Sequence, residues 1–256
     1  MKPYFVKTSV GTFRVEKTAT HLRVGGKRFC VELKIGTDTS ELQWLITKDG
    51  GCEIDDVPIH GSATIHLLNL SFTLLKLYTK GTRVTFLDNS KYDCILGNAS
   101  TVTIFMNKYS YLFYGGTWYD IKVGAIPIDS TQRDMYNKTK TLYTAPLAKS
   151  FDFGNPILQK ELMPIYEQAA SWKEFANVLH ARYRTEDLCR KIAPWYSSAV
   201  AVLTEFRMLP EYWVIDIKDI ALPFTYVQRG GKTRRYTRER NDVTIQSPSE
   251  LYSLAL

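Results

Sequence analysis

The chain has 256 residues, enough to bury a sizeable core as one large domain or two small ones. Its composition, 45% hydrophobic, 23% charged and 13% aromatic, is that of a globular protein and excludes bulk disorder. The net charge of +7 favours acidic partners, while no apolar run reaches the roughly 18 residues of a membrane span: the greasiest, residues 65–78, is interrupted by Asn69, Ser71, Thr73 and Lys76.

In chain order, residues 4–15 and 21–35 alternate β-branched or aromatic residues with polar ones and are predicted as hairpins, Gly25-Gly26 supplying the positive φ of a tight turn. "ELQWLITKDGGCEI" repeats the pattern with its turn at Asp49-Gly50-Gly51. From Ser62 the period changes. Ile65, Leu68, Phe72 and Leu75 recur at helical spacing, with Ser62 as N-cap and Gly81 as stop. "TRVTFLD" then reads as a strand, Asn89-Ser90 as a turn and "STVTIFM" as another strand. "YLFYGGTWYDIKVGA" reads as an aromatic core helix starting near Asn107, in which Gly115-Gly116 permits a close approach or a break. Past Ser150 the signals are helical: Asn155-Pro156, the capping box Ser171-x-x-Glu174, and a third helix from Thr185 interrupted at Pro194. "YWVIDIKDIAL" is strand-like again. The expectation is an α+β fold, a mixed sheet with a crossing helix over residues 1–150, followed over residues 151–256 by a small helical bundle, a returning strand and a basic hairpin or tail.

The four cysteines, Cys30, Cys52, Cys94 and Cys189, form no C-x-x-C pair. With no signal-peptide core at the start, they are expected to be buried thiols of a cytosol-like compartment, without disulfides. Cys52 with His60 and His66 matches no zinc spacing, so no metal site is expected. Gly231-Lys232-Thr233 lacks the first glycine and the following helix of a phosphate loop. There is no G-x-S-x-G elbow, and the carboxylates Asp55, Asp56 and Asp88 are expected to be solvated; no catalytic residue and no cofactor is assigned. The strongest electrostatic feature is "QRGGKTRRYTRER", where Arg229, Lys232, Arg234, Arg235, Arg238 and Arg240 are opposed only by Glu239. That cluster suits a nucleic acid or an acidic protein surface, the more so with Tyr236 among the arginines.

The order of a leucine-rich helix, "TRVTFLDNS", an apolar run ending in "GGTWYDIKVGA", then "DLCRKIAPW" and "EYWVIDI" resembles a group of uncharacterised proteins of nucleocytoplasmic large DNA viruses (giant viruses). Their core reads approximately G-K-T-W-Y-E. Here Gly115, Gly116, Thr117, Trp118, Tyr119 and Asp120 stand at that place, with aspartate for the glutamate, no lysine, and Gly124-Ala125 closing the segment. The resemblance spans about residues 62–220. It implies a virion structural protein, a minor capsid or internal component contacting other virion or capsid proteins, located in the virion and the virus factory of the host cytoplasm. The helix, strand, strand, helix order also resembles the second half of a GNAT-type acetyltransferase, which implies the alternative of a CoA-type ligand. The Q/R-x-x-G-x-G/A loop of that family is missing, so a GNAT-like scaffold here would be degenerate.

Overall fold

The computed structural model describes residues 3–45, 51–96, 100–183, 185–205, 209–218, 220, 226–229, 232–233, 235–238 and 241–244, with the backbone alone for 185–187 and from 226 onward. The fold is α+β: a large mixed sheet and eight helices among the described residues, with a helical region after most of the strands. The chain forms two compact units, residues 1–86 with 214–256 and residues 87–213.

Unit 1 is built on β1 (Tyr4–Lys7), β2 (Thr12–Lys17), β3 (His21–Gly25), β4 (Phe29–Lys34) and β5 (Thr39–Leu45), an antiparallel meander. After β5 the chain makes the hairpin β6 (Glu53–Ile54) and β7 (Val57–Pro58). It then crosses through α1 (Ser62–Tyr78) to β8 (Arg83–Leu87), which pairs β5 in parallel. A parallel neighbour needs a long crossover, and α1 supplies it. The returning strand β12 (Tyr212–Asp216) lies next to β8. On the far edge β1 pairs β13 (Tyr226–Arg229), which is followed by β16 (Asn241–Thr244) and β15 (Arg235–Arg238), with β14 (Lys232–Thr233) paired to β13.

The two faces of this sheet follow from strand alternation. Val6, Phe13, Val15, Leu22, Val24, Val31 and Leu33 are buried on one face, as are Leu67, Leu68, Phe72 and Leu75 of α1, which packs against β3 and β4. Across the other face Arg23 bridges Glu16 on β2 (3.4 Å) and Glu32 on β4 (3.1 Å), and the Arg14 guanidinium lies 4.7 Å over the Phe29 ring.

Unit 2 starts with the hairpin β9 (Lys91–Ile95) and β10 (Thr101–Phe105), then α2 (Met106–Tyr114), α3 (Trp118–Val123), β11 (Ile126–Pro127) and α4 (Ser130–Leu142). The bundle follows: α5 (Pro156–Gln168), α6 (Trp172–Arg182), α7 (Thr185–Ile192) and α8 (Tyr196–Leu203). Its core is aromatic. Phe153, Trp172, Phe175 and Trp195 are all fully buried, and edge-to-face pairs at 5.3 Å join Phe153 to Trp195 and Trp172 to Phe175. Trp172 also donates its indole N–H to the Leu112 carbonyl at 3.0 Å, tying α6 to α2. No helix among the described residues is long and apolar enough to cross a membrane.

Several expectations are corrected. The cysteines are not thiols: Cys30 pairs with Cys52 and Cys94 with Cys189, at Cα separations of 5.6 and 6.0 Å that suit a disulfide. The pairs join β4 to the segment before β6, and β9 to α7, which only the tertiary fold brings together. β5 and β6 do not form the expected hairpin, since β5 pairs β4 and β8 while β6 pairs β7; the turn residues Asp49 and Gly50 lie outside the described residues. Ser62 is the first residue of α1 and Gly61 its N-cap, and the helix ends at Tyr78 rather than at Gly81. Gly25 and Gly26 do not take positive φ. They are required for space, because a Cβ at Gly25 would lie 2.2 Å from the Arg28 carbonyl oxygen and one at Gly26 2.2 Å from that of Glu53.

Candidate functional site

The segment "YLFYGGTWYDIKVGA" lies in two helices, not one. α2 ends where Gly115 adopts the left-handed conformation (φ 75°) and donates its N–H to the Tyr111 carbonyl. A side chain there would strike the Tyr143 ring, whose Cδ1 lies 2.4 Å from the Cβ position. Gly116 offers its carbonyl to the Ser110 hydroxyl at 2.8 Å. Thr117 then caps α3 by accepting from the Asp120 N–H (3.4 Å), and its own N–H donates to the Tyr136 hydroxyl at 2.7 Å. That hydroxyl donates onward to Asp120 Oδ2 at 2.9 Å, and Lys140 closes the cluster on the same oxygen at 2.5 Å. Burial, followed by the Asp120 charge, pushes the Tyr136 phenol far up, so it stays a protonated donor. Trp118 is half-buried and meets Tyr119 edge to face at 5.1 Å, whereas Thr117 and Tyr119 are buried.

This arrangement is a brace. Every polar member is satisfied by another member or by a helix end, which is how buried polar networks stabilise a fold. Tyr136 and Lys140 come from α4, which the hydrophobic pattern does not reveal because only Tyr136 and Thr139 of that helix are buried. The available signal was the cap: Asp129 accepts from the Gln132 N–H at 2.7 Å.

Tyr119 feels a second feature: its phenol is pushed up by burial and then by the Asp88 carboxylate, with Ser90 working the other way. The Ser90 hydroxyl donates to Asp88 Oδ1 at 3.0 Å. Asp88 is only 6% exposed, contrary to its expected solvation. Burial raises its carboxyl pKa against the opposing hydrogen bonds from Ser90. Asp88 lines a cleft of about 400 Å³ within unit 2. The walls are apolar at Leu87, Phe105, Val200, Ala201 and Leu209, and Ser197, Lys108 and Glu211 bring polar groups to it. Among the described residues, two carboxylates against one lysine is the reverse of the basic rim that a CoA pyrophosphate requires. Asp55 and Asp56 form the turn of the β6–β7 hairpin, both at positive φ, where Asp55 accepts from the Thr12 N–H at 2.8 Å and Asp56 pairs with Lys27.

The basic segment lies along the β13–β16 strands. Arg229 and Lys232 stand opposite each other in the β13–β14 register, and Arg235 and Arg238 bound β15. Arg234 and Arg240 lie outside the described residues. No group of three or more His, Cys, Asp or Glu among the described residues is arranged to hold a metal ion, and Cys52, once grouped with His60 and His66, is held in a disulfide. Compared with protein-family models, curated proteins and solved structures, the chain matches none.

Proposed function

We propose that the chain is a virion structural protein of a large DNA virus, a minor capsid or internal component working through contacts with other virion proteins. The observation that carries this reading is the pairing of all four cysteines, one bridge in each unit. Disulfides persist in oxidising surroundings such as virion surfaces and are rare in a reducing cytosol, so the bridges fit a chain made in the host cytoplasm that ends in the particle. The Gly115–Asp120 segment, which carries the viral resemblance, is occupied in bracing α2, α3 and α4. That suits a building block.

The test is quantitative mass spectrometry of purified particles, with thiols alkylated before and after reduction. Many copies per particle, with cysteines alkylated only after reduction, is the expected result. Absence from particles, or four free thiols in them, overturns the reading; a thermal shift that saturates with acetyl-CoA would then promote the acyltransferase alternative.

A further inference from the structure

Asp88 sits at the end of β8 with 6% of its surface exposed. Both hydrogen bonds it receives, from the Ser90 N–H (3.4 Å) and hydroxyl (3.0 Å), go to Oδ1. No cation among the described residues forms an ion pair with it. Buried carboxylates are ordinarily paired, because desolvating an unpaired charge is costly. This one instead opens on a cleft whose described lining carries a second carboxylate, Glu211, and a single cation, Lys108, which forms no ion pair with it and leaves the lining net acidic. The missing partner has no counterpart in a multidentate metal site among the described residues. The cleft is also far larger than the roughly 30 Å³ share of a single water, and Leu87, Phe105, Val200 and Leu209 offer the apolar wall along which an aliphatic stem lies.

We infer that the cleft of unit 2 is a receptor for an organic cation, a guanidinium or primary ammonium group on an aliphatic stem, with Asp88 as its counter-charge. The cationic head reaches Asp88 Oδ2 and Glu211, the Ser197 hydroxyl offers a further acceptor, and the stem packs on the apolar wall. The same chemistry is presented by a free alkyl amine and by an arginine or lysine side chain of a partner protein. The inference rests on the cleft alone and stands whether or not the chain is found in particles.

The experiment is a titration of the full chain with n-butylguanidinium, followed by amide NMR at low salt, with uncharged n-butylurea as control. Saturable shifts at Leu87, Phe105 and Val200 are expected, with a Kd of roughly millimolar order for so small a ligand. Asp88→Asn keeps an acceptor for Ser90 and should weaken binding about tenfold or more. Blocked arginine (N-acetyl, N′-methylamide) separates the sources: binding as tight as butylguanidinium assigns the site to a protein side chain, and its exclusion assigns it to a free cation. No saturable shift with butylguanidinium, equal binding of butylurea, or unweakened binding in Asp88→Asn overturns the inference. If Asp88→Asn does not fold, Ala201→Trp, which fills the cleft from α8, gives the same decision, since binding that survives it is not in the cleft.

Discussion

Tyr136→Phe removes one oxygen atom and two hydrogen bonds from the centre of unit 2. The first loss is the acceptor for the Thr117 N–H, at a residue with 0% exposure; a buried donor left unsatisfied costs about 1–3 kcal/mol. The second is the bond to Asp120. A hydrogen bond to a charged group is worth about 1.5–3 kcal/mol, and the retained Lys140 bridge and the partial exposure of Asp120 reduce that share. The sum is about 2–4 kcal/mol, or roughly 6–16 °C in Tm for a unit of this size. Tyr143→Phe is the internal comparison. It removes a single bond to the Phe113 carbonyl, 2.6 Å away, and should cost about 1 kcal/mol. The assay is urea unfolding of both variants with unchanged m-values, together with a double-mutant cycle between Tyr136→Phe and Asp120→Asn, which should show coupling of about 0.5 kcal/mol or more. Equal costs for the two tyrosines, or a cycle that closes additively, would refute the brace.

Removing the bridges tests their loops: the separations of 22 and 95 residues correspond to about 3 and about 5 kcal/mol of loop-closure entropy, so Cys94→Ser with Cys189→Ser should lower stability more than Cys30→Ser with Cys52→Ser, as read by denaturant midpoints. Gly115→Ala should cost more than Gly124→Ala. Both sit at positive φ (75° and 68°), but only Gly115 has a ring in the way and Gly124 has open space, so the difference, about 1–3 kcal/mol, measures the Tyr143 clash. Trp118→Ala should cost less than the roughly 3–5 kcal/mol of a fully buried tryptophan, because the side chain is only half-buried. The His66 imidazole is held below its ordinary value of 6.5 by burial, and its Nε2 has no partner among the described residues. The unfolded chain therefore takes up a proton that the native state refuses, and stability falls as pH drops below about 6.5 toward the lower native value. His66→Phe should flatten that slope in unit 1, and an unchanged slope would contradict the assignment.

Local signals were legible in the sequence where backbone groups need a cap. Asn155-Pro156 and Ser171-x-x-Glu174 start α5 and α6 as expected, with Leu158 and Glu174 N–H groups bonded to the caps, and the leucine-rich period marks α1. What stayed hidden depends on the tertiary fold. α4 shows no apolar stripe because its contribution is polar, Tyr136 and Lys140 reaching back to Asp120. The cysteine pairs span β4 and β9 to distant segments with no local spacing to betray them. The burial of Asp88 follows from the walls around it, and a carboxylate at a strand end reads alike whether solvated or enclosed.

The hydrogen bonds that hold Asp88 Oδ1 also tune the cleft. The Ser90 hydroxyl donates to that oxygen at 3.0 Å, while Leu87, Asp88 and Asn89, its neighbours in the chain, are among the residues that line the cleft. A donor on the carboxylate favours the ionised form that a cation needs, against the burial that pushes its pKa up. Ser90→Ala removes the hydroxyl and leaves the bond from the N–H (3.4 Å) in place. The ionised form of Asp88 becomes less favourable, and n-butylguanidinium affinity should fall by about two- to fivefold at neutral pH, with a larger deficit as pH is lowered. Tyr136→Phe belongs to the helix-capping cluster and to no hydrogen bond on Asp88, so it should change stability and leave that affinity as it was. If both substitutions weaken cation binding equally, the coupling is a general loosening of unit 2 and not the hydrogen bond to Asp88.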